Sequence, residues 1–461
     1  MSAAIKIAAL GLSMLLLSAC AALPPDGGRD AVDALTRERG VPPAALGGPD
    51  QERERDALLA GLPERPLTVE TAVRLAALNN RGLQADLAEL GISEADLAQA
   101  GRLRNPSLSF SRLGDGAGGE IERGVLFDLA GLLTLPMRQD IERGRFEQAV
   151  LRAAAQVLQL TADTRRAWFQ AVAAAQTAEY MEQAVVAAEA AAELARGMAR
   201  AGNWSRLDQA REQAFYADTM AQAARARLLA GAGREKLIRL LGLWGTHTAF
   251  SLPERLPDLP ASAERIADVE ARAMARRLDI QLGKRETEST ARALGLSRVS
   301  GVVNVLELGY ANKSGAGQPR ENGYRVGIEL PIFDWGGARD AKARARYMQS
   351  LHRTADIAVA ARSQVREAYA AYLGDYDLAL HYRDHVVPLR KKIADQVMLR
   401  YNGMLLGVFE LLADAREQVV SVNGAIEAQR DFWLAQTDLY TAMGGGPAVP
   451  APSNTVNPER P

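Results

Sequence analysis

The sequence contains a single cysteine and few aromatic residues. Cys20 stands alone among 461 residues, and Phe, Trp and Tyr together make up 5% of the chain. One cysteine cannot form an intramolecular disulfide, so packing must stabilise the fold. The charges balance, with 55 basic and 56 acidic residues. This balance offers no electrostatic case for nucleic acid as a partner.

Long apolar runs are also missing after the N-terminal segment. No later stretch offers the roughly 18 consecutive apolar residues that a transmembrane helix needs, so any membrane-spanning segment must be a β-strand. Motifs of catalysis are missing too, because the sequence has no Walker lysine motif and no recognisable combination of nucleophile, base and acid. We therefore expect neither an enzyme nor a cofactor.

The N-terminus has the features of a bacterial lipoprotein signal. Lys6 precedes an apolar run over 7–17, and Leu17-Ser18-Ala19-Cys20 has the form of a lipobox. We predict a signal peptide over 1–19 and acylation of Cys20, including palmitate. An ordinary secretory signal with a chance cysteine is the alternative. Ala21 in place of aspartate favours the outer membrane, whose lipid several acyl chains would bind firmly.

The chain between its two ends repeats one order of elements. Segments 20–66 and 444–461 are rich in Pro, Gly and charged residues, so we predict a tether and a disordered tail. Between them a helix, two strands, a very long helix and a returning helix occur twice, and we predict repeats over 67–255 and 256–443. Repeats of about 190 residues are too long for solenoid units, so we interpret them as a duplicated half-protein. Two motifs recur in both halves: Ala210-Arg211-Glu212-Gln213 as Ala415-Arg416-Glu417-Gln418, and Leu135-Pro136 as Leu330-Pro331.

The helices are far longer than those of a globular domain. The patterns predict helices over 68–102, 137–198 and 205–241 in the first repeat, with a break at Gly202-Asn203. In the second repeat they predict helices over 266–294 and 337–400, a break at Asn402-Gly403 and a closing helix that ends at Met443. A helix of about 62 residues extends about 93 Å, a length typical of coiled coils and helical tunnels. A long soluble coiled coil shares this signal.

The predicted strands alternate apolar and polar side chains. In the fourth strand Tyr324, Val326 and Ile328 alternate with Arg325 and Gly327. This pattern is typical of a transmembrane β-barrel and equally of a half-buried soluble hairpin. The lipid signal and the flanking long helices favour the barrel. Four strands cannot close a barrel, for which about eight is the minimum, so the protein must oligomerise.

Three further motifs are Leu67-Thr68-Val69-Glu70, Asn105-Pro106-Ser107-Leu108 and Leu330-Pro331-Ile332-Phe333-Asp334-Trp335-Gly336-Gly337. They resemble motifs of the TolC-like outer-membrane efflux family, and the resemblance covers 67–444. Pro331 would end a strand, and Gly336-Gly337 would permit a sharp turn into a helix. We therefore predict that Leu330, Pro331, Phe333, Asp334, Gly336 and Gly337 mark the rim where a barrel meets a tunnel.

The resemblance implies a mainly α protein with a membrane β-barrel portion. Duplicated long-helix, coiled-coil repeats would form an α-barrel, and four strands per protomer would contribute to a shared 12-stranded barrel in a homotrimer. It implies the outer-membrane channel of a tripartite efflux system: a passive duct that works with a periplasmic adaptor (membrane fusion) protein and an inner-membrane pump of the resistance-nodulation-division type. The alternative is a non-conducting periplasmic coiled-coil lipoprotein scaffold.

In that family acidic residues constrict the periplasmic tip of the tunnel. Aligning Tyr401-Asn402-Gly403 with the tip places Glu410 on one acidic position, and the second falls on Ala413, beside Asp414. Asp208 is the corresponding candidate in the first repeat. Glu410 and Asp414 are four residues apart and share a helix face, so three copies would form a ring of like charge. A solvated helix face is the alternative.

Two histidines have the spacing of a helical metal pair. His381 and His385 are four residues apart, with Asp377 and Asp384 nearby. A pair without a third strong ligand is more typical of a protein surface, so we predict no metal.

Overall fold

A computed structural model describes residues 27–41, 49–114, 119–300, 305–315, 319–328 and 335–446. The chain divides into two compact units, which we call the strand unit and the helical unit. The strand unit consists of Met1–Val32, Asp86–Ala153 and Asp279–Ile357, and the helical unit of Asp33–Ala85, Ala154–Leu278 and Ala358–Pro461. Each unit contains residues from both predicted repeats, and the repeat boundaries stay a prediction.

The described elements of the first half follow the predicted order of helix, two strands, long helix and returning helix. They are α1 (Arg29–Arg37), α2 (Pro49–Gly61), α3 (Val69–Asn79), α4 (Arg81–Ala100), β1 (Ser107–Leu113), β2 (Glu120–Asp128), α5 (Leu129–Arg200), α6 (Arg206–Leu241) and a 3-10 turn (Gly245–Thr248).

The second half repeats that order. Its described elements are α7 (Val269–Arg276), α8 (Leu278–Ser300), β3 (Leu306–Gly315), β4 (Glu321–Ile328), α9 (Gly337–His381), a π-helical turn (Tyr382–Val386), α10 (Val387–Asn402) and α11 (Val408–Ala442).

Helix α5 confirms the predicted long helix and extends it to 72 residues, about 108 Å of helix at 1.5 Å per residue. Its start differs from the prediction, because the helix begins directly after β2 and Pro136 lies inside it. Asp128 explains the early start, since its Oδ1 accepts the N–H of Gly131 at 2.6 Å and caps the first turn. In the described part of the chain, no helix combines the length and apolar composition that crossing a membrane requires.

Two helices predicted as continuous are each split by one extended residue. Asn80 has ψ 114° between α3 and α4, and its side-chain Oδ1 accepts the N–H of Leu83 at 2.9 Å. This bond caps α4, because asparagine offers the backbone an alternative to the helical bond. Arg277, with ψ 127°, separates α7 from α8 in the same way.

The predicted helix over 337–400 contains a π-helical turn at Tyr382–Val386. Pro388 follows this turn and occupies the start of α10. Proline has no N–H to donate, and its ring clashes with the carbonyl four residues earlier, which is that of Asp384. A locally widened turn is one way for the chain to remain helical there.

The strands form one antiparallel sheet in the order β1-β2-β3-β4. Strand β2 pairs with β1 through Val125 and Leu108 and with β3 through Val125 and Tyr310. Tyr310 lies opposite Tyr324 of β4. The two predicted hairpins are therefore joined, in register, through β2 and β3.

In the strand unit, small side chains let α8 and α9 approach closely. The hydroxyls of Thr287 and Thr354 are 3.1 Å apart, and those of Thr290 and Ser350 are 2.9 Å apart. A Cβ on Gly283 would lie 2.9 Å from Thr354 Oγ1. Glycine is therefore required where the two helices meet.

The core of the helical unit is built around aromatic side chains. Trp168 is 2% exposed, and its Nε1 donates to the carbonyl of Leu67 at 2.8 Å. Phe169 stacks on Trp433 with ring centroids 5.3 Å apart. Phe432 is fully buried nearby. Few aromatics suffice because each buries a large apolar area.

The segment predicted to be a tether contains α1 and α2, and its role as a tether stays a prediction. Arg39, which follows α1, donates to the carbonyl of Arg276 at 3.0 and 3.2 Å. Glu54 of α2 accepts two hydrogen bonds from Arg74, each of 2.6 Å. These specific bonds order a segment whose composition alone indicates a linker. The predicted tail over 444–461 lies outside the described residues from 447 onward.

Candidate functional site

The four-stranded sheet has one apolar face. Cross-strand partners share a face, so the register assigns every described strand residue to one side. Leu108 is 83% exposed and Tyr324 86% exposed, so this face is open in the protomer. Its apolar members are Leu108, Phe110, Ile121, Val125, Phe127, Leu306, Leu308, Tyr310, Tyr324, Val326 and Ile328.

The opposite face carries serine, glycine and charged residues. Lys313 Nζ and Glu120 Oε1 form an ion pair of 2.5 Å across neighbouring strands, and Arg325 pairs with Glu122. Opposite charges on one face neutralise each other without help from another element. The sheet therefore has one mainly apolar face, which also carries Arg112 and Arg123, and one mainly polar face, and this is the alternation predicted from the sequence.

Two turns end the long helices of the helical unit, and we call residues 201–205 and 403–407 the tip turns. In the first, Gly202 has φ +78°, and Asn203 N donates to Met198 O at 2.9 Å. Ser205 Oγ then accepts the N–H of Asp208 and caps α6. This is a helix-ending glycine turn followed by a capped helix, as predicted at Gly202-Asn203.

The second tip turn has the same hydrogen bonds but a different residue in the left-handed position. Leu405 N donates to Arg400 O at 2.9 Å, and Met404 N donates to Tyr401 O at 3.0 Å. Met404 has φ +58°, whereas Gly403 has φ −81°. The predicted break at Asn402-Gly403 is confirmed as the end of α10, but the strained residue is Met404.

The two tip turns lie side by side. Trp204 stacks on Phe409 with ring centroids 4.3 Å apart and planes 10° from parallel. Beside this stack Leu207 of α6 is 60% exposed, and Met404 and Leu405 of the second tip turn are 94% and 76% exposed. The tip therefore combines a fixed aromatic contact with exposed apolar side chains, a combination typical of an interaction surface.

A buried ion pair joins α6 to α11 just above the tip turns. Glu212 has a side chain only 2% exposed and pairs with Arg416. The guanidinium of Arg416 also lies over the ring of Phe215, 4.7 Å from its centroid. Both residues belong to the recurring Ala-Arg-Glu-Gln motif, one from each predicted repeat. The motif therefore connects the two repeats.

The three candidate gate residues have different surroundings. Asp208 accepts a hydrogen bond from the hydroxyl of Ser205 at 2.6 Å and pairs with Arg211 at 3.3 Å. Its carboxylate therefore stabilises the start of α6. Glu410 lies exposed in the first turn of α11, and Asp414 lies one turn further, partly exposed. Among the described residues, no cation lies within 4.0 Å of Glu410 or Asp414. Of the three candidates, Glu410 and Asp414 therefore have no counter-charge in the part of the chain that the structure describes.

Comparison with known proteins identifies the fold. No family model and no curated protein matches the sequence. Three solved outer-membrane channels are similar: OprN has 19% identity, a TM-score of 0.69 and coverage of 84% of this chain and 92% of its own. MtrE of Neisseria gonorrhoeae has 18% identity and a TM-score of 0.67, and the match covers 82% of this chain and 89% of MtrE. CmeC of Campylobacter jejuni has 15% identity and a TM-score of 0.66, and the match covers 86% of each chain.

The chain has the TolC-like channel fold. The resemblance drawn from the sequence motifs is thereby confirmed for the architecture of long helices with a strand portion. The predicted rim of this fold lies largely outside the described residues, which omit Leu330, Pro331, Phe333 and Asp334. Gly336 is buried with φ +79°, and Gly337 begins α9. A positive φ immediately before a helix is the sharp turn expected of the motif.

The histidine pair lies at the π-helical turn. The rings of His381 and His385 have centroids 5.3 Å apart, and both residues are exposed. No group of three or more His, Cys, Asp or Glu side chains is arranged to hold a metal within the described ranges. The predicted acylation site, Cys20, lies outside those ranges.

Two features of the site were missed by sequence reasoning. Met404 adopts the left-handed conformation, whereas the sequence predicted the break at the preceding Asn402-Gly403. The Glu212–Arg416 ion pair joins residues that are far apart in the chain. The repeated motif indicated a duplication but did not indicate which of its residues would form an ion pair.

Proposed function

We propose that this protein is the outer-membrane channel component of a tripartite efflux system, a passive export duct across the periplasm and outer membrane. The sheet carries the proposal, because its apolar face is exposed while its other face is polar and charge-balanced. The described strands contain 7, 9, 10 and 8 residues, close to the roughly 9–11 that cross a bilayer. The fold shared with solved outer-membrane channels supports this function.

The channel is proposed to be a homotrimer. A barrel of four strands cannot close, and three protomers would supply twelve strands to one barrel. The apolar face would then meet outer-membrane lipid and the polar face would line the lumen. Helices α5, α6, α9, α10 and α11 would form the periplasmic tunnel.

The partners are proposed from the tip and from what the sequence lacks. The exposed Leu207, Met404 and Leu405 offer an apolar surface to a periplasmic adaptor protein. Because the sequence has no nucleotide-binding motif, the energy for export would come from an inner-membrane pump of the resistance-nodulation-division type. We propose no catalytic role for the chain.

Acylation of Cys20 is proposed to anchor the N-terminus in the outer membrane. Cells grown with labelled palmitate should yield a labelled protein. A Cys20→Ser variant should lose the label, and a label retained by this variant would contradict the assignment.

The test of the proposed function is conduction by the assembled protein. Protein extracted from outer membranes should have the mass of a trimer and should produce discrete conductance steps in planar bilayers. A monomer without conductance would refute the duct and would instead support the non-conducting periplasmic scaffold.

Glu410 and Asp414 are proposed as the gate, because both carboxylates lack a described counter-charge and share one face of α11. Replacing both with alanine should raise the single-channel conductance, since a ring of six carboxylates would be removed from the constriction. A matched control is Asp356→Ala with Asp395→Ala, which removes two exposed acids from α9 and α10. Conductance equal to that of the control would dismiss the gate assignment.

A further inference from the structure

The strand unit contains a cleft of about 1670 Å³ formed by four helical segments. Helix α5 contributes Arg138, Arg145 and Arg152, which are seven residues apart and so lie on one face. Helix α9 contributes Arg339 and Arg346 with the same spacing, and Lys342 between them. Faces of α4 and α8 complete the walls.

The described lining of this cleft is strongly basic. Acidic residues are few: Asp96, Glu142 and Glu286. The charges of the whole chain balance, with 55 basic and 56 acidic residues, so the excess of positive charge is confined to the cleft. The basic residues are Arg102, Arg104, Arg138, Arg145, Arg152, Arg339, Lys342 and Arg346.

Part of this charge is satisfied within the protein. Arg145 pairs with Glu142, and Arg104 pairs with Asp128 at 3.3 Å. Arg152 donates to the side-chain amide oxygen of Gln148 at 3.2 Å.

Four other cations of the lining have no such partner. Arg102, Arg339, Lys342 and Arg346 are exposed, and in the described part of the chain no carboxylate lies within 4.0 Å of any of them. Like charges that share a concave surface repel one another and focus a positive potential into it. An anion in the cleft would relieve this repulsion.

We propose that this cleft binds a phosphate-bearing anion, with Arg102, Arg339, Lys342 and Arg346 as its cationic ligands. A guanidinium presents a planar fork that matches two phosphate oxygens, and lysine adds a compact point charge. A phosphate can accept bonds from several such groups at once because it has three acceptor oxygens.

Two sources of phosphate fit the position of the cleft. Arg104 of the lining pairs with Asp128, the last residue of β2, so the edge of the cleft reaches the end of the sheet. A lipid headgroup would be available there if the strands lie in the membrane, which rests on the proposed function. A soluble phosphate compound needs no such assumption.

Binding to the purified full-length protein in neutral detergent tests the proposal. Inorganic pyrophosphate, titrated calorimetrically, probes the soluble source. Nanodiscs of phosphatidylcholine with and without phosphatidylglycerol, followed by native mass spectrometry of retained lipid, probe the headgroup. We expect one of these ligands to bind, and which one binds identifies the source. These assays measure binding and not conductance, so the phosphate site can fail its test while the proposed channel passes its own, or the reverse.

The cleft variant is R339Q/K342Q/R346Q, and we expect it to weaken binding by about tenfold or more. The control R353Q/R362Q/K391Q removes the same charge from exposed positions of α9 and α10 outside the cleft and should bind like the unmodified protein. Circular dichroism would establish that both variants keep their helices. The proposal is overturned if neither probe binds, or if both variants lose affinity equally.

Discussion

Replacing Met404 with glycine is expected to stabilise the second tip turn. Met404 has φ +58°, and a residue with a Cβ costs about 1–2 kcal/mol in this region, which glycine adopts freely. Glycine loses more conformational entropy on folding, which offsets about 0.5–1 kcal/mol. Met404 is 94% exposed, so little packing is lost in the protomer. The net gain should be about 0.5–1 kcal/mol.

Amide hydrogen exchange measures this gain locally. The N–H groups of Met404 and Leu405 donate to Tyr401 and Arg400 at 3.0 and 2.9 Å, so they exchange only when the turn opens. A gain of about 0.5–1 kcal/mol should slow their exchange by about two- to fivefold. Peptides from the middle of α11 should be unaffected.

The neighbouring glycines supply the controls. Gly202 holds the same position in the first tip turn with φ +78°, so Gly202→Ala should speed exchange there. Gly403 has φ −81°, and a Cβ on it would lie 3.5 Å from Leu399 O, an ordinary contact. Gly403→Ala should therefore cause no loss of protection. Faster exchange in Met404→Gly would refute the reasoning, and so would an unchanged exchange rate in Gly202→Ala.

Three further predictions concern the helical unit. Arg416→Met leaves the buried Glu212 carboxylate unpaired and should cost about 2–3 kcal/mol, while adding Glu212→Gln should recover part of the loss in a double-mutant cycle of thermal unfolding. Gly242→Ala should lower the unfolding temperature by a cost of about 1–3 kcal/mol, because φ is +65° and the new Cβ would lie 2.7 Å from Asn79 O. Burial raises the pKa of Tyr440 from 10.0 to about 12; between these pH values the unfolded chain loses this proton while the folded chain keeps it, so stability should fall as pH rises. Tyr440→Phe should reduce that fall, measured as unfolding temperature against pH.

Local pattern was sufficient to predict the long helices and the strands. The alternation of Tyr324, Val326 and Ile328 with polar neighbours places them on the apolar face, as the register confirms. The start of α6 was predictable because Ser205 is a strong N-cap. The periodicity of apolar residues and the presence of a helix cap depend only on residues close together in the chain, so both can be predicted from a single sequence.

Interruptions of the helices were harder to predict. The long helix predicted to begin at 137 begins at Leu129 and contains Pro136, because Asp128 caps its first turn. Pro388 produces a π-helical turn instead of a break. Asn80 ends α3 with the help of a bond from its Nδ2 to Leu240 O at 2.9 Å. The outcome at each of these residues depends on partners that the local sequence does not identify.

The recurring Ala-Arg-Glu-Gln motif shows the same limit at long range. Equivalent glutamates have different partners: Glu212 pairs with Arg416, whereas Glu417 pairs with Arg390 at 2.8 Å. The Glu212 side chain is 2% exposed and that of Glu417 is 60% exposed. The motif occurs in both predicted repeats, and the packing of α6 against α11 decides which copy of its glutamate is buried.

The two tip turns differ in several features. The first has glycine in the left-handed position, a serine cap on α6, and an acid, Asp208, that Ser205 and Arg211 hold. The second has Met404 under backbone strain and no side-chain cap at Gly407. Its acids, Glu410 and Asp414, have no described counter-charge.

Backbone strain at Met404 and the absence of a side-chain cap at Gly407 favour opening of the second turn over the first. A gate needs one part that stays fixed and another that moves. We propose that α6 would supply the fixed side of the gate and α11 the moving side, and that opening would break the stack of Trp204 on Phe409.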